Sequence, residues 1–149
     1  MSAPASPQFH TLSRVECEAI LARNHVGRLA YGLRDRVDIQ PIGYVFAGGV
    51  INCRTSEGSK LEVLRHQPAV AFEVDEVEGP FAWRSVVVHG TVYLAEDAGS
   101  DADRQAYADA VEALRGAYAG ALGTDDPAGF RSVILRLYVN EMTGRTAHP

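Results

Sequence analysis

The 149-residue sequence has few of the residues from which disulfide frameworks and metal centres are built. It contains two cysteines, Cys17 and Cys53, and they form no paired-cysteine motif. Its five histidines show none of the paired helical spacings that zinc sites use. We therefore expect no disulfide and no metal site, and we expect both cysteines to be buried as small apolar side chains.

The chain also lacks a strongly basic composition and long apolar runs. Its net charge is -5 and its pI is about 5.5, which argues against a general nucleic-acid surface. No apolar run approaches the roughly 18 residues needed to cross a bilayer, and the start of the chain lacks the pattern of a secretion signal. We expect a cytoplasmic protein with no membrane or nucleic-acid partner. Residues 1–11 are expected to be flexible and residues 12–149 to form one domain.

Several catalytic and nucleotide-binding motifs are absent. No serine stands in a Gly-x-Ser-x-Gly motif, and neither the phosphate loop of nucleotidases nor the dinucleotide fingerprint occurs. Acidic residues recur along 73–78, but at period two they are typical of the solvated face of a strand rather than of a glycosidase pair. The sequence thus gives no support for a hydrolase, and it identifies no catalytic residue.

Hydrophobic periodicity and turn residues predict a mainly β protein with flanking helices. Ser13 and Glu16 form a capping box at the start of the first helix, and Gly48-Gly49 marks a hairpin. The predicted helices cover about 13–23, 61–65 and 102–119, and the predicted strands cover 26–31, 37–46, 50–54, 69–75, 83–94 and 132–140. Short hairpins followed by a helix and a late returning strand favour a small, mostly antiparallel barrel of about six strands.

A polar segment, residues 54–60, connects one predicted strand to the next short helix. It contains Arg54, Thr55, Ser59 and Lys60, with Gly58 before the helix. Backbone N–H groups at a helix N-terminus carry partial positive charge and bind phosphate. The segment therefore predicts a site for a phosphorylated cofactor, although a polar turn that only caps the helix has the same composition.

Five segments together resemble the pyridoxamine 5'-phosphate oxidase-related flavoproteins, and more narrowly the branch with nitroimidazole-resistance-type proteins. They are Gly27 to Tyr31, Pro41 to Phe46, Arg54 to Lys60, Val70 to Asp75 and Trp83 to Gly90. The final segment Glu141 to Arg145 also fits that branch. The resemblance implies an FMN-binding split β-barrel that forms a homodimer and binds FMN in a cleft between subunits.

The resemblance also implies roles for individual residues. Arg54, Thr55, Ser59 and Lys60 match the segment that holds the phosphate. Pro41, Ile42, Gly43 and Tyr44 match the strand beside the isoalloxazine ring, whereas Arg84 and Ser85 match a strand whose polar groups approach the ring's edge. Arg145 is a further candidate for the cleft. Trp83 is either a cofactor contact or a packing residue at the core or the interface.

The chain departs from true pyridoxamine phosphate oxidases at its end. Those enzymes end in an arginine-bearing segment that holds the substrate phosphate, and this sequence stops at Pro149 without a clear counterpart. We therefore expect a flavin-dependent oxidoreductase with another small-molecule electron donor or acceptor. Two alternatives stay open: a non-catalytic flavin-binding or flavin-sensing module, and a reductase that uses a deazaflavin.

Overall fold

The computed structural model describes residues 5–149, which form seven strands and three helices. In chain order the elements are β1 (Gln8–Thr11), α1 (Arg14–Arg23), β2 (Val26–Leu33), β3 (Arg36–Ala47), β4 (Val50–Thr55), α2 (Ser59–His66), β5 (Ala69–Gly79), β6 (Ala82–Ala95), α3 (Asp101–Ala117) and β7 (Val133–His148).

Six of the strands close into an antiparallel barrel. Their order around the wall is β7-β4-β3-β2-β5-β6, and β6 pairs again with β7. The long β7 pairs with β4 through residues 133–138 and with β1 through residues 145–148. This architecture is the split β-barrel with flanking helices, so the predicted fold class is confirmed.

Local sequence signals account for the turns and helix starts that were predicted. Gly48 and Gly49 have φ values of 59° and 78°, the left-handed conformation that a tight β3–β4 hairpin requires. Ser13 accepts a hydrogen bond from the backbone N–H of Glu16, and the Glu16 side chain accepts one from the Ser13 N–H. The capping box therefore starts α1 as expected.

The strands alternate between the barrel core and the outer wall. Leu29, Tyr44, Phe72 and Val88 are among the buried core residues, and they come from four different strands. α1 and α2 contribute further side chains to this core. α3 packs on the outside of the wall, where Ala110 and Leu114 form a second, smaller core with Ile134 of β7.

The two ends of the chain differ from the sequence-based expectation. Residues 8–11, expected to be flexible, form β1 through backbone pairing with residues 145–148, while residues 1–4 of the same segment lie outside the described part of the chain. β7 continues to His148 instead of ending near residue 140. Both differences arise because pairing with distant strands determines these segments, and their own polar sequences carry no clear alternation.

Within residues 5–149, no helix is long and apolar enough to cross a membrane, and no group of three or more potential metal ligands occurs. Cys17 and Cys53 are unpaired and buried. Burial raises the pKa of the Cys53 thiol to about 12, so this cysteine is a protonated core side chain at neutral pH.

Candidate functional site

The junction between β4 and α2 brings together three of the predicted phosphate-binding residues. Lys60 lies in the first turn of α2, and its ammonium group donates a hydrogen bond to the Thr55 hydroxyl, with 2.8 Å between Nζ and Oγ1. Ser59 is the first residue of α2 and is exposed. The residue before the helix, Gly58, has no side chain with which to cap it, so the first backbone N–H groups of α2 have no side-chain partner there.

The electrostatics of this junction favour an anion. Partial burial lowers the pKa of Lys60, and the positive charge of Arg131 lowers it further. The backbone carbonyl of Arg131, in the loop before β7, accepts a hydrogen bond from Arg54 at the end of β4, so this residue lies beside the junction. Two cations near each other repel, so a phosphate group between them would relieve that repulsion and would restore the Lys60 pKa toward its ordinary value. Arg131 is a functional candidate that no local motif could have indicated.

Arg54 has a different environment from the one predicted for a phosphate ligand. Its side chain is only 5% exposed and its guanidinium group lies 2.5 Å from the Asp126 carboxylate. It also donates hydrogen bonds to the carbonyl oxygens of Ala128 and Arg131. These contacts use most of the donors of Arg54 within the protein, and they join it to the 120–131 loop.

The Asp126 carboxylate completes this loop anchor. Its oxygens accept hydrogen bonds from Arg54 and from the backbone N–H groups of Leu122 and Ala128. These bonds, first that from Arg54, lower the pKa of Asp126 to about 2. The pair therefore stays ionised at neutral pH and holds Arg131 beside the β4–α2 junction.

The predicted ring-side strand divides between the two faces of β3. Ile42 and Tyr44 point into the barrel core, and the buried Tyr44 hydroxyl donates to the carbonyl of Leu21 in α1. Their neighbours Pro41 and Gly43 face outward. A Cβ atom added at Gly43 would lie 3.0 Å from the Tyr118 hydroxyl. Only Pro41, Gly43 and the backbone of this segment can therefore meet a ligand on the outer wall.

A second polar group lies further around the outer wall, on β2, β5 and β6. The Ser85 hydroxyl donates to Glu73 with a distance of 2.8 Å. The Arg28 guanidinium lies 3.5 Å from Glu73 and 3.2 Å from Asp75. Partial burial raises the pKa of Glu73. The sequence predicted Ser85 as a site residue but assigned the acidic residues to the solvated face of a strand. Their contact with Arg28 depends on strand pairing, which no local pattern indicates.

Trp83 and Arg84 lie at the start of β6, at the far end of that strand from the junction. The Trp83 ring packs edge-to-face on Phe9 of β1, with 6.3 Å between ring centroids. Arg84 lies 3.5 Å from Glu76, which also binds Arg23. Hydrogen bonds from Arg23 lower the pKa of Glu76 to about 2. This group ties the end of α1 to the barrel.

The predicted site residues therefore fall into separate groups on one protomer. Arg145 pairs in register with Ser85, so it belongs with the second polar group. The junction follows β4, and Ser85 lies on β6, which β7 separates from β4 in one direction around the barrel and β3, β2 and β5 in the other. On β7, which pairs with both strands, Thr55 is opposite Val133 and Ser85 is opposite Arg145, twelve residues further along the strand. The structure brings Thr55, Ser59 and Lys60 together but does not bring them to Ser85 within one copy.

Comparison with known proteins identifies the family. A family model described as pyridoxamine 5'-phosphate oxidase matches residues 13–146. The chain belongs to this family. Membership agrees with the barrel closure and confirms the resemblance that the five sequence segments indicated.

Individual relatives agree with this assignment. The chain is 34% identical over 79 residues to an uncharacterized protein of Rhizobium meliloti (strain 1021). The aligned region covers 53% of this chain and 52% of that protein, so the match spans about half of each. A FAD-binding protein from Mesorhizobium loti has a similar crystal structure, with a TM-score of 0.77, 25% identity and coverage of 97% of this chain and 100% of the other.

A candidate 5-nitroimidazole antibiotic resistance protein from Bacteroides thetaiotaomicron has the same fold. Its TM-score is 0.66, its identity is 16%, and the coverage is 99% of this chain and 95% of the other. At this identity the likeness shows the fold alone.

Proposed function

We propose that this protein binds FMN and acts as a flavin-dependent oxidoreductase, with the cofactor phosphate at the β4–α2 junction. The observation that carries the proposal is the Lys60 ammonium group beside the Thr55 hydroxyl, at a helix start without a side-chain cap. These groups fit a phosphate because they supply a cation, hydroxyls and backbone N–H donors together. A bound flavin would supply the hydride or electron chemistry.

The residues of this chain would bind and orient the cofactor. Lys60, Thr55 and Ser59 would hold the phosphate, and Arg131 would add a second positive charge at the same place. Pro41, Gly43 and the β3 backbone would lie beside the ring. Arg54 would act indirectly, because its contacts with Asp126 and Ala128 hold the loop that carries Arg131.

The proposed active form is a homodimer. Val26, Val37, Ile39 and Val77 are exposed apolar side chains on the outer wall of β2, β3 and β5. Exposed apolar side chains such as the neighbouring Val37 and Ile39 of β3 are typical of protein interfaces. A second copy on this face would cover these side chains and would bring the Ser85 group of one protomer near the junction of its partner.

FAD is a second candidate cofactor, because the similar protein from Mesorhizobium loti is described as FAD-binding. FMN stays the first candidate because the junction offers one compact phosphate site, and the sequence has no dinucleotide fingerprint for a second phosphate. Extraction of the bound cofactor, followed by chromatography and an absorbance spectrum, separates FMN, FAD and a deazaflavin directly.

Titration tests the phosphate site itself. FMN should bind at least about tenfold more tightly than riboflavin, since a charge-assisted phosphate contact is worth roughly 1.5–3 kcal/mol. Equal affinities for FMN and riboflavin would refute the phosphate role of residues 54–60. Arg65→Ala is a matched control because Arg65 lies on the same helix but pairs with Glu62 at the surface, so this variant should keep its FMN affinity.

Turnover distinguishes an oxidoreductase from a non-catalytic flavin module. The flavin-loaded protein should oxidise NADH or NADPH when a quinone or nitroaromatic acceptor is present. A protein that binds flavin tightly but shows no reduction of the bound flavin by either donor would support the storage or sensing alternative.

A further inference from the structure

A cavity of about 840 Å³ lies between α3 and the outer wall of β6 and β7, away from the β4–α2 junction. Its floor and sides include Tyr93, Leu94, Ala106, Arg136 and Tyr138. None of the residues predicted to bind flavin lines it. The cavity is therefore a separate place at which a small molecule could bind.

Arg136 is the central charged group of this cavity. The residue is only 9% exposed, and it donates from Nε to the Tyr138 hydroxyl at 3.2 Å and from Nη1 to the carbonyl of Ala106 at 2.9 Å. Among residues 5–149, no carboxylate forms an ion pair with it. A buried charge with only neutral partners is costly, and a guanidinium group has five donors. Arg136 therefore favours an anionic ligand.

Acidic side chains around the cavity limit how much negative charge the ligand can carry. Glu96 and Asp103 line it and are exposed, and Asp103 caps α3 by accepting from Ser100. Asp109 and Glu112 border a smaller cavity that Arg136 also touches. These four carboxylates would repel a polyanion such as a nucleotide. A single negative charge placed directly on Arg136 gains its hydrogen bonds with the least repulsion.

Two tyrosine rings define the shape of the remaining space. Tyr93 and Tyr138 meet edge-to-face with 5.5 Å between centroids, and the Arg136 guanidinium carbon lies 5.6 Å from the Tyr138 ring centroid. Tyr93 is 57% exposed, so one face of its ring is available to a ligand. Aromatic rings pack well against such surfaces, and Ala95, Ala98 and Ala106 supply small apolar walls.

We propose that this cavity binds a small monoanionic aromatic acid, with its carboxylate on Arg136 and its ring against Tyr93 and Tyr138. The proposal does not depend on flavin binding, because the two sites share no residue. The ligand would be either a substrate held apart from the cofactor phosphate or an effector.

Calorimetric titration of the protein as purified tests the proposal with benzoate as the probe. Benzoate should bind saturably, and the neutral analogue benzamide should bind about tenfold more weakly because it cannot form a charge-assisted contact with Arg136. Cyclohexanecarboxylate, which keeps the charge but lacks the aromatic ring, should also bind more weakly. No saturable benzoate binding at millimolar concentration, or equal affinity for benzamide, would overturn the proposal.

Variants locate the binding. Arg136→Lys should weaken benzoate binding about tenfold and Tyr93→Ala about threefold, whereas Phe81→Ala, which removes an exposed ring outside the cavity, should leave it unchanged. If Arg136→Lys does not fold, Tyr93→Ala and the ligand series decide the question, since Tyr93 is on the surface. Benzoate affinity that is the same in Tyr93→Ala as in the original protein contradicts the site.

A last comparison separates this cavity from the proposed flavin site. Lys60→Ala should lose FMN affinity and keep benzoate affinity. If Lys60→Ala instead loses benzoate binding, the benzoate occupies the flavin site and the separate cavity assignment is wrong. If inorganic phosphate displaces benzoate with an affinity equal to that of benzoate, the cavity does not select for an aromatic ring and the proposed ligand class is wrong.

Discussion

Replacing Arg54 by methionine should lower the free energy of unfolding of the protein, because Arg54 contacts the 120–131 loop and is not proposed to contact the cofactor. The substitution keeps an apolar stem in a buried position but removes the hydrogen bonds to Asp126, Ala128 and Arg131. Breaking a buried ion pair by removing one partner costs roughly 3–5 kcal/mol, because the other charge remains without compensation. Methionine cannot satisfy the two carbonyl oxygens, so we expect at least about 3 kcal/mol.

This loss should appear as a lower melting temperature. For a 149-residue chain, an unfolding entropy of about 2.1 cal/mol/K per residue gives roughly 0.3 kcal/mol/K, so 3 kcal/mol corresponds to a fall of about 10 °C. Thermal unfolding followed by circular dichroism measures the fall. Arg36→Met is the matched control, because Arg36 forms an exposed ion pair with Asp38 and should change stability by less than about 1 kcal/mol.

The same variant distinguishes the two roles of Arg54. If Arg54 anchors the loop, Arg54→Met lowers the melting temperature. The folded variant still binds FMN, and its affinity falls only because the loop is displaced. If Arg54→Met unfolds at the original temperature and loses FMN affinity as strongly as Lys60→Ala does, Arg54 is a direct phosphate ligand. The proposed anchoring role would then be wrong.

Four further predictions concern three individual residues and the oligomeric state. Lys60→Ala should weaken FMN binding by roughly 1.5–3 kcal/mol with an unchanged melting temperature, and unchanged affinity in a titration contradicts the phosphate site. Hydrogen bonds lower the pKa of Glu76 from its ordinary value of 4.5 to about 2, so its stabilising contribution is complete above about pH 4.5 and is lost as the pH falls toward 2. Glu76→Gln should flatten that acid-induced loss in urea unfolding, and an unaltered pH profile refutes the contact. Gly144→Ala should lower the melting temperature, because the added Cβ would lie 2.5 Å from the Cys17 sulfur, and an unchanged melting temperature would show that α1 moves freely. Light scattering should give twice the 16.1 kDa chain mass, and a flavin-binding monomer would exclude the shared site. If the Trp83→Ala variant is still a dimer and keeps full flavin affinity, only the proposed part of Trp83 in the shared flavin site is excluded.

Local signals explain which parts of the fold the sequence could predict. The two glycines at 48 and 49 readily adopt the positive φ values of a tight turn, and the Ser13 capping box marks a helix start, so both elements were predictable from a few neighbouring residues. β1 and the second half of β7 depend on each other and on β6, which lies far away in the sequence. No local pattern could have indicated these pairings.

The candidate site shows the same limit. Lys60 and Thr55 are five residues apart, and their contact follows from the strand-to-helix junction that the sequence predicted. The partner of Arg54 is Asp126, which lies 72 residues later in an irregular loop. A motif that matches a phosphate-binding segment therefore indicates a candidate site, but it does not indicate which of its cations pairs with a distant carboxylate.

Strand alternation and strand order together make the cofactor and dimer proposals depend on each other. Period two places Ile42 and Tyr44 in the core and leaves Pro41 and Gly43 on the outer wall, so the ligand-facing surface of β3 is narrow and almost without side-chain donors. The polar group around Ser85 lies elsewhere on the outer wall, on β6 and its neighbours β5 and β2. In the proposed homodimer, a second copy would present its Ser85 group to a flavin held at Lys60, and exposed apolar side chains such as Val37 and Ile39 of β3 would be available for the interface. A stable dimer on this face would therefore both cover apolar side chains and complete the proposed flavin site.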